Sequence, residues 1–366
     1  MTHEDIFEYQ PSVEFLEVKE QYSFAIVGAA HGHVYQMAHG LIAAGATLVA
    51  MHDADPANAA ALRRAFPDVP LCESAKEIYD DPRIRLVITA GIPSERAGIA
   101  IAAMEAGKDC MADKAPLINL SQLDALKAVI AKTGRKYSVF YGESYDSEAV
   151  ILACDLIRRG VIGKLCYING AAPHRLNAPS RPEWFFHFAK TGGLLIDLLC
   201  HQIHQFLMFL DAQGLPTDAE PIASRVGNLF HRELGELQDY GDAMFNAACG
   251  VSGYFRVDWL SPAGLSTWGD SRMIIGGEDG MIELRKNCDI GRDKAPNHVY
   301  VVKIHGEFYE NVTGKLQKPY FPRFIRESID GYTDPHELKL QLDAIELTIR
   351  AQMAAVEIGK PRGFAP

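Results

Sequence analysis

The chain has 366 residues, 48% of them hydrophobic and 23% charged, with a formal net charge of -11. That balance describes a folded protein long enough to bury two cores and excludes a disordered chain. The acidic sign, with no block of Lys and Arg, excludes a nucleic-acid surface. The seven cysteines (Cys72, Cys110, Cys154, Cys166, Cys200, Cys249 and Cys288) form no C-x-x-C pair. Their mostly apolar settings predict free thiols in a reducing cytoplasm. Residues 1–21 are acidic and lack a basic segment followed by an apolar core, so they read as a peripheral N-terminal extension and not as a signal peptide. No apolar stretch reads as long enough to span a bilayer, and no membrane association is expected.

From Phe24 onward, a short apolar run followed by a helical pattern recurs. Phe24 to Gly28 reads as a buried strand and His33 to Ala44 as a helix stopped by Gly45. Thr47 to Met51 is the second strand and Pro56 to Phe66 the second helix, with Pro56 suited to its first turn. Ser74 and Glu77 form a capping box for a short third helix. Further strands are predicted at Ile84 to Thr89, Asp109 to Ala112 and Lys136 to Tyr141, separated by helices at Ser94 to Ala106 and Ser121 to Lys132. Gly107 and Gly134 fall where helix C-caps belong. This alternation predicts a doubly wound parallel sheet over residues 22–142, with its ligand crevice at the carboxyl ends of the strands.

The turn at that crevice is Gly28-Ala29-Ala30-His31-Gly32-His33. It sits between strand and helix as a dinucleotide loop does, with Ala30 and His33 in place of the second and third glycines of G-x-G-x-x-G. The helix start at His33 offers N–H groups and the positive end of a dipole to a pyrophosphate. Asp53 stands just after the second strand, where a carboxylate accepts ribose hydroxyls. Ala54 follows it, with no adjacent Arg to neutralise a 2'-phosphate. These residues favour NAD over NADP, although Arg63 and Arg64 are near enough in sequence to fold back.

After Tyr141 the pattern changes. A helix over Ser147 to Arg159 ends at Gly160. Strands then follow without regular helices between them: Leu165 to Asn169, Ile222 to Val226, Ala243 to Ala248, Gly253 to Asp258 and Met273 to Ile275. Gly276 to Gly280 turns the last of these into Met281 to Arg285. Helices are predicted at Phe321 to Asp330 and His336 to Gly359. Residues 143–366 thus read as an α+β unit with a mainly antiparallel sheet.

Two further motifs lie in these halves. One is Asp113-Lys114-Ala115-Pro116. The other is Gly192-Gly193 followed by Asp197 and His201. With the dinucleotide unit they resemble the Gfo/Idh/MocA oxidoreductases, the family of glucose-fructose oxidoreductase and inositol dehydrogenase. The Asp113 motif is similar to the family's E-K-P signature with Asp for Glu and the proline one place late. The Gly192 motif resembles its G-G-x-x-x-D-x-x-x-H signature, with Leu199 where a Gly is usual and His204 where an Asp often follows. The likeness runs from about Tyr22 to the C-terminus. It implies a Rossmann domain followed by an open-faced sheet domain, and a homodimer or homotetramer formed through that sheet.

The resemblance implies hydride transfer between nicotinamide and a secondary hydroxyl or ketone of a sugar, cyclitol or sugar derivative, with Lys114, Asp197 and His201 as catalytic residues. An imidazole with a pKa near ~6.5 suits proton exchange with an alcohol, which makes His201 the acid/base. Asp197, four residues back on the same helix face, would fix its tautomer or position a substrate hydroxyl. Lys114 would stabilise the alkoxide and touch the nicotinamide ribose. Cofactor contacts are expected from Gly28, Ala30, His31, Gly32, His33, Asp53 and Lys114. Pro93 and Arg96 join them, matching the family's nicotinamide loop in part, since Arg96 replaces a usual His. Substrate contacts are expected from His174, Arg175, Asn177, Trp184 and His204, and no metal is expected, because no further Cys, His or Glu cluster has ligand spacing. The same residues permit a second chemistry, in which tightly bound NAD oxidises transiently to allow elimination or glycoside cleavage. A non-catalytic sensor of NAD or a sugar is the alternative of another class.

Overall fold

The computed structural model describes residues 2–9 and 21–359; residues 1 and 10–20 of the expected N-terminal extension and residues 360–366 lie outside the described residues. Five apolar runs form the first sheet: β1 (Tyr22–Val27), β2 (Ala46–His52), β3 (Leu86–Thr89), β4 (Asp109–Asp113) and β5 (Tyr137–Phe140). All their pairings are parallel and their order is β2-β1-β3-β4-β5. Every residue of β1, β3, β4 and β5 is buried, as parallel strands covered by helices on both faces require. A single bridge from Met51 to Leu71 lengthens the edge beyond β2. The chain reverses direction across the sheet between β1 and β3, and the ligand crevice of a doubly wound sheet opens at such a point. The local signals hold: Ser74 and Glu77 form the capping box, and Gly134 caps its helix at φ 60.

The second sheet contains β6 (Leu165–Pro173), β7 (Ala219–Gly227), β8 (Tyr240–Ala247), β9 (Ser252–Asp258), β10 (Arg272–Gly277), β11 (Gly280–Arg285), β12 (His298–Lys303), β13 (Gly306–Asn311) and β14 (Val356–Ile358). Its order is β13-β12-β11-β10-β6-β9-β8-β7-β14. The pairings are antiparallel except β6 with β9 and β7 with β14. Three features depart from the sequence reading. The β12–β13 hairpin was not anticipated. β6 runs on to Pro173, because β9 continues beside it to Asp258. The last helix stops at Ala354 and not at Gly359, because Ala355 is extended and the next three residues pair with the open edge of β7.

Helices Glu148–Arg158, Cys200–Ala212 and Pro335–Ala354 cover one face of this sheet, burying Ile168, Phe245, Phe255, Met273 and Ile275. Among the described residues one helical stretch, Phe188–Ala212, is long and apolar enough by composition to cross a membrane. This corrects the expectation of none, and 89% of its apolar window is buried inside the protein, where the core requires that composition. The short helix His3–Phe7 is tied down by Arg159, which donates to the carbonyls of Asp5 and Ile6.

The C-terminal helices return to the first sheet. Gln341 accepts from the Val139 N–H at 2.8 Å and donates to Ser138 and Tyr145. Phe321 packs so closely on the helix His33–Ala43 that a Cβ at Gly40 would sit 2.2 Å from its ring. Gly40→Ala is therefore expected to cost about 1–3 kcal/mol of stability. Urea denaturation tests this, and an unchanged midpoint would contradict it.

Candidate active site

The carboxyl ends of the first sheet and the helix-covered side of the second meet at a cavity of about 590 Å³, a size suited to enclosing a small molecule. β1 leads into this region through Gly28, whose φ is +84. A Cβ at Gly28 would lie 3.1 Å from Gly91 Cα and 3.2 Å from Thr89 Oγ1, so both backbone and space demand glycine. The loop is tied to the end of β3: Ala90 N–H donates to Gly28 O, and His31 N–H donates to Ala90 O. No side chain caps the helix that starts at His33, so its positive end is open to an anion. Asp53 accepts from Ala29 N–H at 2.6 Å and from Asp55 N–H at 2.8 Å, which fixes its carboxylate at the end of β2.

Asp113, the residue in place of the signature Glu, is fully buried. It accepts from Nδ1 of both His31 and His33 at 2.8 Å and lies 3.0 Å from the Arg96 guanidinium. Burial alone would raise its pKa, but His33, Arg96 and His31 hold it well below the usual carboxylate range. Burial, with His33 beside it, pushes the His31 pKa down to about 4 against the pull of Asp113. Because an ionised Asp113 only accepts, Nδ1 of each ring carries a proton toward it. These three residues also present ligand atoms within 4.8 Å of one another, beside the cation that Arg96 already supplies.

Arg96, an expected cofactor contact, turns its guanidinium into the protein. It borders the cavity but is 1% exposed, and its three nitrogens serve the protein: Gly91 O, Lys114 O, Ala115 O and the Asp113 carboxylate. It holds the Lys114–Ala115 backbone, whose peptide is cis. Lys114 then extends from the end of β4, and its Nζ donates at 2.9 Å to both the carboxylate and the carbonyl of Asp197. Burial would lower its pKa, yet Asp197 raises it. The Asp197 carboxyl, which burial alone would raise, is brought by Lys114 to about 2. Gly192 makes this approach possible, since a Cβ there would lie 2.8 Å from Ile118, just past the Lys114 turn.

Asp197 does not fix His201, as the helical spacing had suggested. A π-helical turn spans Leu195–Leu199 before the α-helix begins at Cys200, and this wider turn changes the angular relation of the two side chains. His201 Nε2 instead lies 3.8 Å from Glu143 Oε1. Burial holds its pKa well below the usual imidazole range, with Lys114 acting in the same direction and Glu143 opposing.

His174 and Trp184 line the cavity as expected, and so do Trp259 and Trp268; the chain has three tryptophans, and all of them face this space. The other three expected substrate contacts are engaged with the protein itself. Asn177 is exposed in a left-handed turn and donates to Ser180 Oγ. Arg175 borders the cavity, but its guanidinium supports the following loop through the carbonyls of Leu265 and Thr267. His204 is buried away from the cavity, stacked on Tyr141 and bonded to Ser144 and Tyr145, whose side chains enclose its ring.

Sequence reasoning missed Glu143 and Lys286. Glu143 follows β5, so its place at a strand's carboxyl end was a usable signal; Lys286, just after β11, carried none. Lys286 Nζ donates to Glu143 Oε2 at 2.7 Å.

A doubly wound sheet with a dinucleotide loop, sharing one cleft with the helix-covered face of a second sheet, is the architecture of a nicotinamide-dependent oxidoreductase. The family model described as "Oxidoreductase family, NAD-binding Rossmann fold" matches residues 22–141, and the GFO/IDH/MocA C-terminal domain matches residues 150–283. The chain belongs to the Gfo/Idh/MocA family. It is 30% identical over 151 residues to the uncharacterized oxidoreductase YdgJ of Escherichia coli (strain K12), covering 41% of this chain and 42% of that protein. It is 27% identical over 183 residues to inositol 2-dehydrogenase of Gluconacetobacter diazotrophicus, covering 50% and 51%. The matches thus span about half the length or less of these curated relatives. A crystal structure from Erwinia carotovora atroseptica SCRI1043 is 39% identical, with a TM-score of 0.88 over 92% of this chain and 100% of that one.

Proposed function

We propose that this protein is a dehydrogenase that moves a hydride between a nicotinamide cofactor and a secondary hydroxyl or ketone of a cyclitol or sugar. The observation that carries this reading is the meeting of Lys114, from the first sheet, with His201, from the second unit, on one cavity. Residues 22–142 would hold the dinucleotide and residues 143–366 the substrate. Gly28, Ala30, Gly32, the helix start at His33 and Asp53 fit the dinucleotide, with His31, Pro93 and Lys114 toward its reactive end. When bound it supplies the hydride acceptor.

The chain's own groups do the rest. His201 Nε2 takes the hydroxyl proton, and its lowered pKa keeps it unprotonated for that task. Lys114, a cation held in place by Asp197, stabilises negative charge growing on the substrate oxygen. The three tryptophans offer flat apolar faces to a ring, while His174 meets a hydroxyl. The likeness to an inositol dehydrogenase supports a ring polyol. Incubating the protein with NAD or NADP and a panel of cyclitols and aldoses is expected to generate the near-ultraviolet absorbance of reduced nicotinamide. No reduction with any member of the panel would overturn the proposal.

Asp53 gives the cofactor preference. A carboxylate repels a 2'-phosphate, so NAD is preferred. Asp53→Ser is expected to shift the ratio of kcat/KM for NAD over NADP by about tenfold or more toward NADP; an unchanged ratio in steady-state assays would contradict this.

We also propose a homodimer or homotetramer built on the open face of the second sheet. Met244 pairs with Tyr254, Tyr254 with Asn169, and Asn169 with Ile274 across four strands, and Tyr167, Met244 and Tyr254 are exposed. Light scattering is expected to give a mass of two or four chains for the natural protein and a smaller one for Tyr254→Arg. A natural monomer would refute the interface. The seven free cysteines fit the cytoplasmic location proposed for the enzyme.

A further inference from the structure

We propose that Glu143 binds the hydroxyl next to the one being oxidised, so that the enzyme selects uncharged vicinal diols. This rests on the functional reading above and deepens it.

Glu143 lies in the short turn of helix Gly142–Tyr145, immediately after β5, on the wall of the cavity. One of its oxygens is fully engaged. Oε2 accepts from Lys286 Nζ at 2.7 Å and from Gln202 Nε2 at 3.2 Å, and Lys286 is itself steadied by Gln205 Oε1 at 3.1 Å. The carboxylate is thereby held in one orientation. Burial alone would favour the neutral acid, but Lys286 keeps the pKa well below the usual range, so Glu143 can only accept hydrogen bonds.

The other oxygen has no such partner. Oε1 is buried and accepts no hydrogen bond among the described residues. Two imidazole nitrogens face it, His174 Nε2 at 3.5 Å and His201 Nε2 at 3.8 Å. His174 Nδ1 faces the Ala172 carbonyl at 3.0 Å, which fixes the ring with Nε2 toward the carboxylate but beyond ordinary hydrogen-bond length. An acceptor-only carboxylate oxygen thus stands in the cavity wall with no donor at ordinary hydrogen-bond length among the described residues. Leaving a buried acceptor unsatisfied costs about 1–3 kcal/mol, and such a group in a cavity wall calls for a ligand that brings the donor.

A hydroxyl is that donor. The spacing of Oε1 and His201 Nε2 fits two of them: gauche vicinal hydroxyl oxygens stand about 3 Å apart and reach two such acceptors at ordinary length. The reacting hydroxyl lies on His201, and its neighbour donates to Glu143 beside His174. The same fixed negative charge rejects a carboxylate or phosphate at that neighbouring carbon.

The test compares each polyol that the enzyme oxidises with its monodeoxy analogue lacking the adjacent hydroxyl, in the natural protein and in Glu143→Gln. The natural enzyme is expected to prefer the diol by about 100-fold in kcat/KM. Glu143→Gln is expected to lose about 30- to 100-fold on the diol, chiefly through KM, and almost nothing on the deoxy compound. If Lys286, stranded by the change, prevents folding, Glu143→Asp keeps the charge, withdraws the oxygen by one methylene and reads the same ratio. Equal losses on both compounds overturn the assignment, as does a loss confined to kcat with KM for the diol unchanged. Tryptophan fluorescence titrated with the same polyols in the presence of NADH separates the two levels of failure. A polyol handled equally by both proteins removes only the role of Glu143, whereas neither turnover nor binding of any polyol by the natural protein removes the functional reading and this assignment together.

Discussion

Lys114→Met is expected to lower kcat/KM for polyol oxidation by about 10²- to 10³-fold, the usual loss when one preorganised group facing a developing oxyanion is removed. The side chain is 5% exposed and its Nζ sits 2.9 Å from Asp197 Oδ1, so the charge is already oriented before substrate arrives. Methionine preserves most of the packing and deletes only the cation. It also leaves Asp197 without the charge that holds its pKa near 2, so the Asp197 carboxyl should titrate higher and thermal stability should fall. Binding of NADH, followed by its fluorescence, is expected to change far less than kcat. A variant that loses cofactor binding and turnover in equal measure would make Lys114 a cofactor ligand only.

His201→Asn is expected to cost about 10²- to 10⁴-fold in kcat, the range for a positioned acid/base group. The pH profile of the natural enzyme carries the more specific expectation. Oxidation needs the neutral imidazole, and burial, reinforced by Lys114, lowers its pKa. As pH falls, the group therefore protonates later than a free histidine. The acid limb of kcat/KM should lie below the ordinary value of ~6.5, and the asparagine variant should lack it. An acid limb at or above that value, or one that persists in His201→Asn, would assign the proton transfer elsewhere.

The first sheet was legible because four of its five strands, β1, β3, β4 and β5, are continuous buried runs, set off by local helix signals such as the Ser74–Glu77 capping box and Gly134. The hairpin of β12 and β13 was not, although His298 to Lys303 is rich in β-branched residues. Its two-residue turn, Ile304-His305, lacks the Asn-Gly or Asp-Gly signature that marks tight hairpins. β14 exists only because β7 has an open edge, a fact of tertiary structure. In the cavity, Lys114, Asp197 and His201 were visible as motif residues, but the partner of Asp197 was misassigned. A spacing argument assumes 3.6 residues per turn, and the π-helical turn at Leu195–Leu199 breaks that assumption. Asp113 had no role until the fold brought His31, His33 and Arg96 to it. Glu143 and Lys286 are linked by an ion pair across a sequence separation that no local pattern spans.

The convergence of Lys114 and His201 on one reacting oxygen is tested most directly by a crystal structure with NADH and an oxidisable cyclitol bound. A single substrate oxygen should lie within about 3.2 Å of both Lys114 Nζ and His201 Nε2, with the nicotinamide ring beside the carbon that carries it. A substrate oxygen that reaches only one of them, or a nicotinamide ring bound outside this cavity, would contradict the account.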